Sequence, residues 1–161
     1  MWLEATIFIA AVISVVYFFF IRKNPELKPY YPVNNYRDWD DMEKEIFKQI
    51  NLQRHFFGQV EAFPDMNLRE SAEKRALHYS KLGYVRDHKG WVKITKELES
   101  KGIKSPAEIL GYAYKNTDGV IEAWMRSDDH RPILLSGFRN LVGVGFVKKG
   151  IKTYFVCHFG R

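Results

Sequence analysis

The sequence predicts an α+β domain, with helices first and an antiparallel hairpin last, preceded by one N-terminal transmembrane helix. Three observations predict it. Residues 5–21, ATIFIAAVISVVYFFFI, run for 17 positions without a charge. From Trp39 to Ser127 the apolar residues recur at three- and four-residue steps. The runs 141-LVGVGFV-147 and 151-IKTYFVCHF-159 are rich in β-branched and aromatic residues, with Lys148, Lys149 and Gly150 between them. A chain of 161 residues that is 46% hydrophobic suits one globular domain and little more.

The apolar run spans about 26 Å as a helix. With Trp2 and Leu3 added it is just long enough to cross a bilayer. It has no polar face, unlike a core helix. Its leading residues carry no Lys or Arg, and no small-x-small site follows it, unlike a cleaved leader. Residues 1–23 therefore read as a membrane anchor. Arg22, Lys23 and Lys28 follow the span and Glu4 precedes it, so the positive-inside rule favours a cytoplasmic domain. Residues 24–37 hold three prolines within 24-NPELKPYYPVNN-35 and read as an extended spacer.

The domain occupies residues 38–161. Its first helix carries Trp39, Met42, Ile46, Ile50, Gln53 and Phe57 on one face, with Asp38 or Asp40 to cap it and Gly58 to end it. The second covers 67–83, with Asn67 and Glu70 spaced as a capping box and Leu68, Ala72, Ala76 and Tyr79 or Ser80 inward. The third, 91–102, ends at Gly102. The fourth, 117–127, takes Thr117 or Asp118 as cap and buries Val120, Ile121 and Trp124. Helices followed by a hairpin suggest helices packed on a sheet.

Lys+Arg exceed Asp+Glu by 25 to 19. The basic residues are spread out, Lys148, Lys149 and Lys152 among them, so the balance reads first as a solvated surface and second as attraction to anionic lipid or wall polymer; no nucleic-acid module is present, so no nucleic acid is expected. The single Cys157 excludes an internal disulfide and a cysteine cluster for zinc.

The stretch 124-WMRSDDHRPIL-134 places a His where no periodicity requires one. Alone, His130 reads as a helix-end imidazole favoured by the dipole. Glu108, after Ser105-Pro106-Ala107, reads alone as a solvated loop carboxylate. His88, Glu108 and His130 stand 20 and 22 residues apart, and no sequence rule joins them. His55 and His78 read as helix-surface residues, Glu122 as solvated, and Trp91 and Trp124 as core. His158 alternates with Tyr154 and Val156 and reads as a satisfied sheet residue, with a supporting partner of the cavity as the alternative.

Taken as a set, Asn51 and Arg54 in 50-INLQRHFFG-58, Leu68, Ala72, His88 in 86-RDHKG-90, Glu108 in 107-AEILGYAY-114, 124-WMRSDDHRPIL-134, 138-FRNLVGVGFV-147 and 154-YFVCHFG-160 resemble the CAP superfamily. This superfamily comprises the cysteine-rich secretory, antigen 5 and plant pathogenesis-related proteins, and the likeness is to its short bacterial SCP-like form. The resemblance implies an α-β-α sandwich and a central cavity. His88 matches the first family His, Glu108 the first acid and His130 the second His. Ser127 stands where eukaryotic members carry a second acid, and Glu-Ile replaces the usual Glu-Asn at 108–109. Tyr112 and Tyr114 would flank the cavity.

Granted proximity, His88, Glu108 and His130 are a competent ligand set for Zn²⁺ or another divalent metal, with an open position for water. Such a water could attack an ester or amide bond, although no His-Glu-x-x-His run and no specified base accompany it. Ser127 lacks a nucleophile's surroundings and reads as a helix-end hydrogen-bonding residue. The expected function is a membrane-tethered binding module whose His/Glu cavity takes a ligand, lipid, cell-wall fragment or metal near the cell surface. The alternative is a metal-assisted hydrolase, peptidase or esterase; a structural role in an envelope complex is a third reading. The resemblance implies an extracytoplasmic domain, against the charge pattern. No oligomeric interface is legible.

Overall fold

Asp40 sets the start of the first helix, α1 (Asp41–Phe56). Its carboxylate accepts from the Met42 N–H, and the Asp40 N–H donates to Glu43, which closes a capping box. The computed structural model describes residues 38–85, 88, 90–112 and 116–161. The anchor and spacer expected over residues 1–37, and Tyr114, lie outside the described residues. Among the described residues, no helix is long and apolar enough to cross a membrane.

The second helix is capped two residues earlier than its sequence signal. Asp65, not Asn67, accepts from the Leu68 N–H, so α2 runs from Met66 to Leu82 and ends on Gly83 at φ 82°. Helix α3 (Trp91–Ser100) stops ahead of Gly102. Helix α4 (Thr117–Arg126) is capped by Asn116, whose side chain accepts from the Gly119 N–H, rather than by Thr117 or Asp118. A single turn, α5 (Arg131–Leu134), follows.

The expected hairpin forms from β3 (Leu141–Lys149) and β4 (Lys152–Gly160), with Lys149 opposite Lys152. Two further strands complete the sheet in the order β1-β3-β4-β2. β1 (Phe63–Pro64) runs parallel to β3, and β2 (Ala107–Tyr112) runs antiparallel to β4. The loop reading of Glu108 is therefore corrected: it is a strand residue directly opposite His158.

Helices cover both faces of the sheet. On one face Tyr154 and Val156 pack with Ala72, Ala76 and Tyr79 of α2, and Leu68 packs with Leu98 and Ile103. On the other, Ile109, Phe155, Cys157 and Phe159 are buried with Ile46 and Ile50 of α1 and Val120 and Trp124 of α4. This is the α-β-α arrangement that the resemblance implied. Phe57 departs from its expected core position and is exposed, because α1 ends at Phe56.

The contact of α2 with β3 has no side chain between the two backbones. A Cβ on Gly143 would lie 2.0 Å from the Arg69 nitrogen, and one on Gly145 would lie 2.3 Å from the Glu73 nitrogen. The spacing matches: four helical residues rise about 6 Å and two strand residues about 6.6 Å. Both methyls would meet backbone, which cannot swing away. Gly143→Ala should therefore cost at least about 3 kcal/mol. Gly150→Ala, where nothing lies within 4 Å and only the φ of 61° resists, should cost roughly 1–2 kcal/mol. Urea-denaturation midpoints of the two variants check this order.

Candidate functional site

Glu108 leaves β2 on the face that α2 covers. Its side chain is 1% exposed and accepts four hydrogen bonds. Arg75, one helical step beyond Ala72 on α2, donates from Nε to Oε2 at 2.9 Å and from Nη2 to Oε1 at 3.3 Å. His158 Nε2, from the neighbouring strand, lies 3.1 Å from Oε2, and His88 Nδ1 lies 2.7 Å from Oε1. A carboxylate offers about four acceptor positions. All four are occupied.

The electrostatics follow from that count. Burial pushes the Glu108 carboxyl up, but the hydrogen bonds and charge of His158 and Arg75 outweigh it and hold the group down to about 2. Burial lowers the His158 pKa, and Glu108 only partly offsets this. We therefore take His158 as neutral, donating through Nε2–H, with Arg75 supplying the compensating charge. That tautomer leaves the buried His158 Nδ1 as a bare lone pair, and it has no partner among the described residues. The Trp91 ring centre lies 5.0 Å from that of His158. The guanidinium of Arg75 also stacks 4.6 Å from the Tyr79 ring centre.

His88 sits at the open edge, its side chain 51% exposed. Its Nδ1 is committed to Glu108, so Nε2 is the ring nitrogen left for another partner. His130 is half-buried, and both that burial and the charge of the nearby His88 lower its pKa. Ser127 closes the helix end that carries His130: its Oγ accepts from the His130 N–H at 3.3 Å. Tyr112 does not point to this site; its hydroxyl donates to the Gly83 carbonyl and its ring lies against Tyr154.

Two polar side chains of α1 hold the segments around the site. Asn51 exchanges two bonds with the Ala62 backbone, at 3.0 and 2.8 Å. Arg54 is fully buried and donates to the carbonyls of Val60, Leu134, Arg139 and Ser136. It thereby fixes the chain that leaves α5, four residues beyond His130.

Comparison with known proteins follows the same residues. The profile of the cysteine-rich secretory protein family, CAP, matches residues 30–159. The chain belongs to the CAP family. An outer surface protein of Borrelia burgdorferi superposes with a TM-score of 0.67 at 18% identity, over 73% of this chain and 90% of its own. An extracellular SCP-domain protein of Bacillus anthracis gives 0.66 at 18%, over 83% of this chain and 44% of its own. A cysteine-rich secretory protein of Staphylococcus aureus gives 0.59 at 21%, over 74% and 38%. The chain thus spans less than half of the last two proteins. No curated protein matches the sequence.

The family resemblance raised a divalent metal on His88, Glu108 and His130. The side chains do not fit one. Among the described residues, no group of three or more His, Cys, Asp and Glu is arranged to hold a metal ion. Glu108 has no acceptor position left, and Arg75 already brings a cation to it. Of the residues around Glu108, sequence reasoning missed Arg75 entirely and held His158 as a cavity partner only as its second reading. The signal for Arg75 was present: it lies within the apolar stripe Leu68, Ala72, Ala76 and Tyr79.

Two outcomes follow. Arg54→Lys keeps the charge but loses the fork to four carbonyls, and should cost about 3 kcal/mol in urea titrations. Stability should also fall in two stages on acidification. His158 is held neutral by the fold while the unfolded imidazole protonates near 6.5, so stability declines as pH falls below that value. Glu108 stabilises above its ordinary 4.5 and this is lost as pH falls towards 2. His158→Gln should reduce the first stage to the part that His130 supplies, and should also weaken the second, because His158 helps to hold the Glu108 carboxyl down; melting temperatures across the range read both.

Proposed function

We propose that this CAP domain is a binding module of the cell envelope that recognises its ligand through the outward edge of His88 together with His130. The observation that carries this reading is the saturation of Glu108. A carboxylate with every acceptor position filled is neither a free base nor a free metal ligand; its part is to fix the tautomer and orientation of His88. The free Nε2 accepts a hydrogen bond when the ring is neutral. His130 beside it is disposed to the neutral form. Such a pair favours ligands rich in hydroxyl or amide donors, as cell-wall fragments and lipid headgroups are.

The charge-free run over residues 5–21 and the prolines after it support tethering to a membrane. The outer-surface and extracellular relatives support an extracytoplasmic domain. Metal-assisted hydrolysis is the competing reading, and the geometry of Glu108 argues against it.

The test is a pair of titrations on the full chain, followed through the imidazole resonances. Soluble wall fragments should shift the His88 and His130 signals, and His88→Ala should abolish the shift at His130. Zinc should bind no more tightly to the parent than to the His88→Ala/His130→Ala double variant. Micromolar or tighter zinc binding that the double variant loses would overturn the proposal and favour the hydrolase.

A further inference from the structure

The end of the sheet away from Glu108 carries a second feature that the His88 site does not use. The hairpin turns through Gly150 and Ile151, between the paired Lys149 and Lys152. Gly150 takes the positive φ of 61° that the first central position of such a turn needs. Ile151 has no positive φ to satisfy, and polar residues serve well at its position. It is nevertheless a large β-branched side chain, 90% exposed.

Its surroundings are cationic. Lys148, Lys149 and Lys152 flank it, and Lys149 Nζ donates to the Ser80 carbonyl at 2.9 Å, which draws in the last turn of α2 with Lys81 and the exposed Leu82. Lys152 lies over the Tyr112 ring at 5.3 Å and Lys148 over the Phe146 ring at 5.9 Å. Along α1 and α2, by contrast, Lys44, Lys48, Arg69, Lys74 and Arg75 each reach a carboxylate, and Arg54 reaches backbone carbonyls. None of Lys81, Lys148, Lys149 and Lys152 has a carboxylate within ion-pair distance among the described residues. An apolar tip in a ring of unmatched lysines is complementary to a surface that is anionic outside and apolar beneath.

We infer that the β3–β4 hairpin end is a docking surface for an anionic phospholipid bilayer, with Ile151 entering the headgroup region and the lysines meeting phosphate. The choice of a bilayer over a soluble polyanion rests on Ile151, which a polymer in water would leave exposed. It also draws on the reading of residues 5–21 as an anchor, which would hold the domain within reach.

The test places an environment-sensitive fluorophore on Ile151→Cys in the full chain. Cys157 does not compete, because it is buried and its thiol is pushed well up. Flotation with neutral phosphatidylcholine vesicles tests the anchor separately from the tip. Vesicles containing phosphatidylglycerol should then shift the emission to the blue, and neutral vesicles should not. High salt should reverse the shift. Lys148→Gln/Lys149→Gln/Lys152→Gln, checked for an unchanged melting temperature, should need roughly a hundredfold more anionic lipid for the same change, at about fivefold for each lysine. An emission that is the same in both vesicle types would overturn the inference. So would binding of soluble polyphosphate that the triple variant loses while vesicles cause no shift, which would make the surface a polymer site.

Discussion

The backbone contact between α2 and β3 is the constraint on which the rest of this structure depends. With only glycine hydrogens between helix and strand at residues 143 and 145, α2 lies closer to the sheet than side-chain packing would allow. That approach brings Ala72 and Ala76 onto β4, and it carries Arg75 across to β2. At an ordinary helix–sheet spacing of about 10 Å, a guanidinium in this stripe would need a longer reach or water between it and Glu108. The Gly-Val-Gly run is therefore as much a part of the site as the residues that bear charge.

The charge arrangement then explains the chemistry that remains available. A buried carboxylate is costly unless its charge is met and its lone pairs are filled. Here one guanidinium meets the charge, and two imidazoles and that guanidinium fill the lone pairs. Glu108, Arg75 and His158 are together neutral once His158 is neutral. Its only edge open to solvent is His88. Reactivity that would require Glu108 to give up a partner would expose a buried charge, at a cost of about 3–5 kcal/mol. Recognition at His88 requires no such step.

Several elements were legible in the sequence for clear reasons. The helices carried three- and four-residue spacing, with α2 stopping at Gly83 and α3 just short of Gly102, and the hairpin carried a change of period around Lys148-Lys149-Gly150. β2 was not legible, because it is covered on both faces and so lacks alternation, and because Pro106 before it and Gly111 within it suggest a loop. Caps moved by a residue or two where Asp65 and Asn116 competed with equally suitable neighbours. His88 and His130 lie outside the longer elements, so only the family resemblance pointed to them. Arg75, Arg54 and Glu43 share a different lesson. Each is a charged residue inside an otherwise apolar helical stripe, and each is buried against a partner. A charge within a stripe marks a buried pairing more reliably than it marks a solvated face.

The two ends of the sheet are set apart by the same core that makes them rigid. Glu108 and Tyr112 are four strand positions apart in β2, about 13 Å. Between them Leu110, Val156 and Tyr154 pack under α2. Along this path the strands are in full register and the glycines leave α2 little room to slide. Coupling between sites needs an element with two states. On the two proposals above, contact of the hairpin with a surface would leave the Glu108 network unchanged, and it would act on recognition at His88 through where the domain is held. Were the domain tethered, that would be a matter of effective concentration, which needs no change of shape.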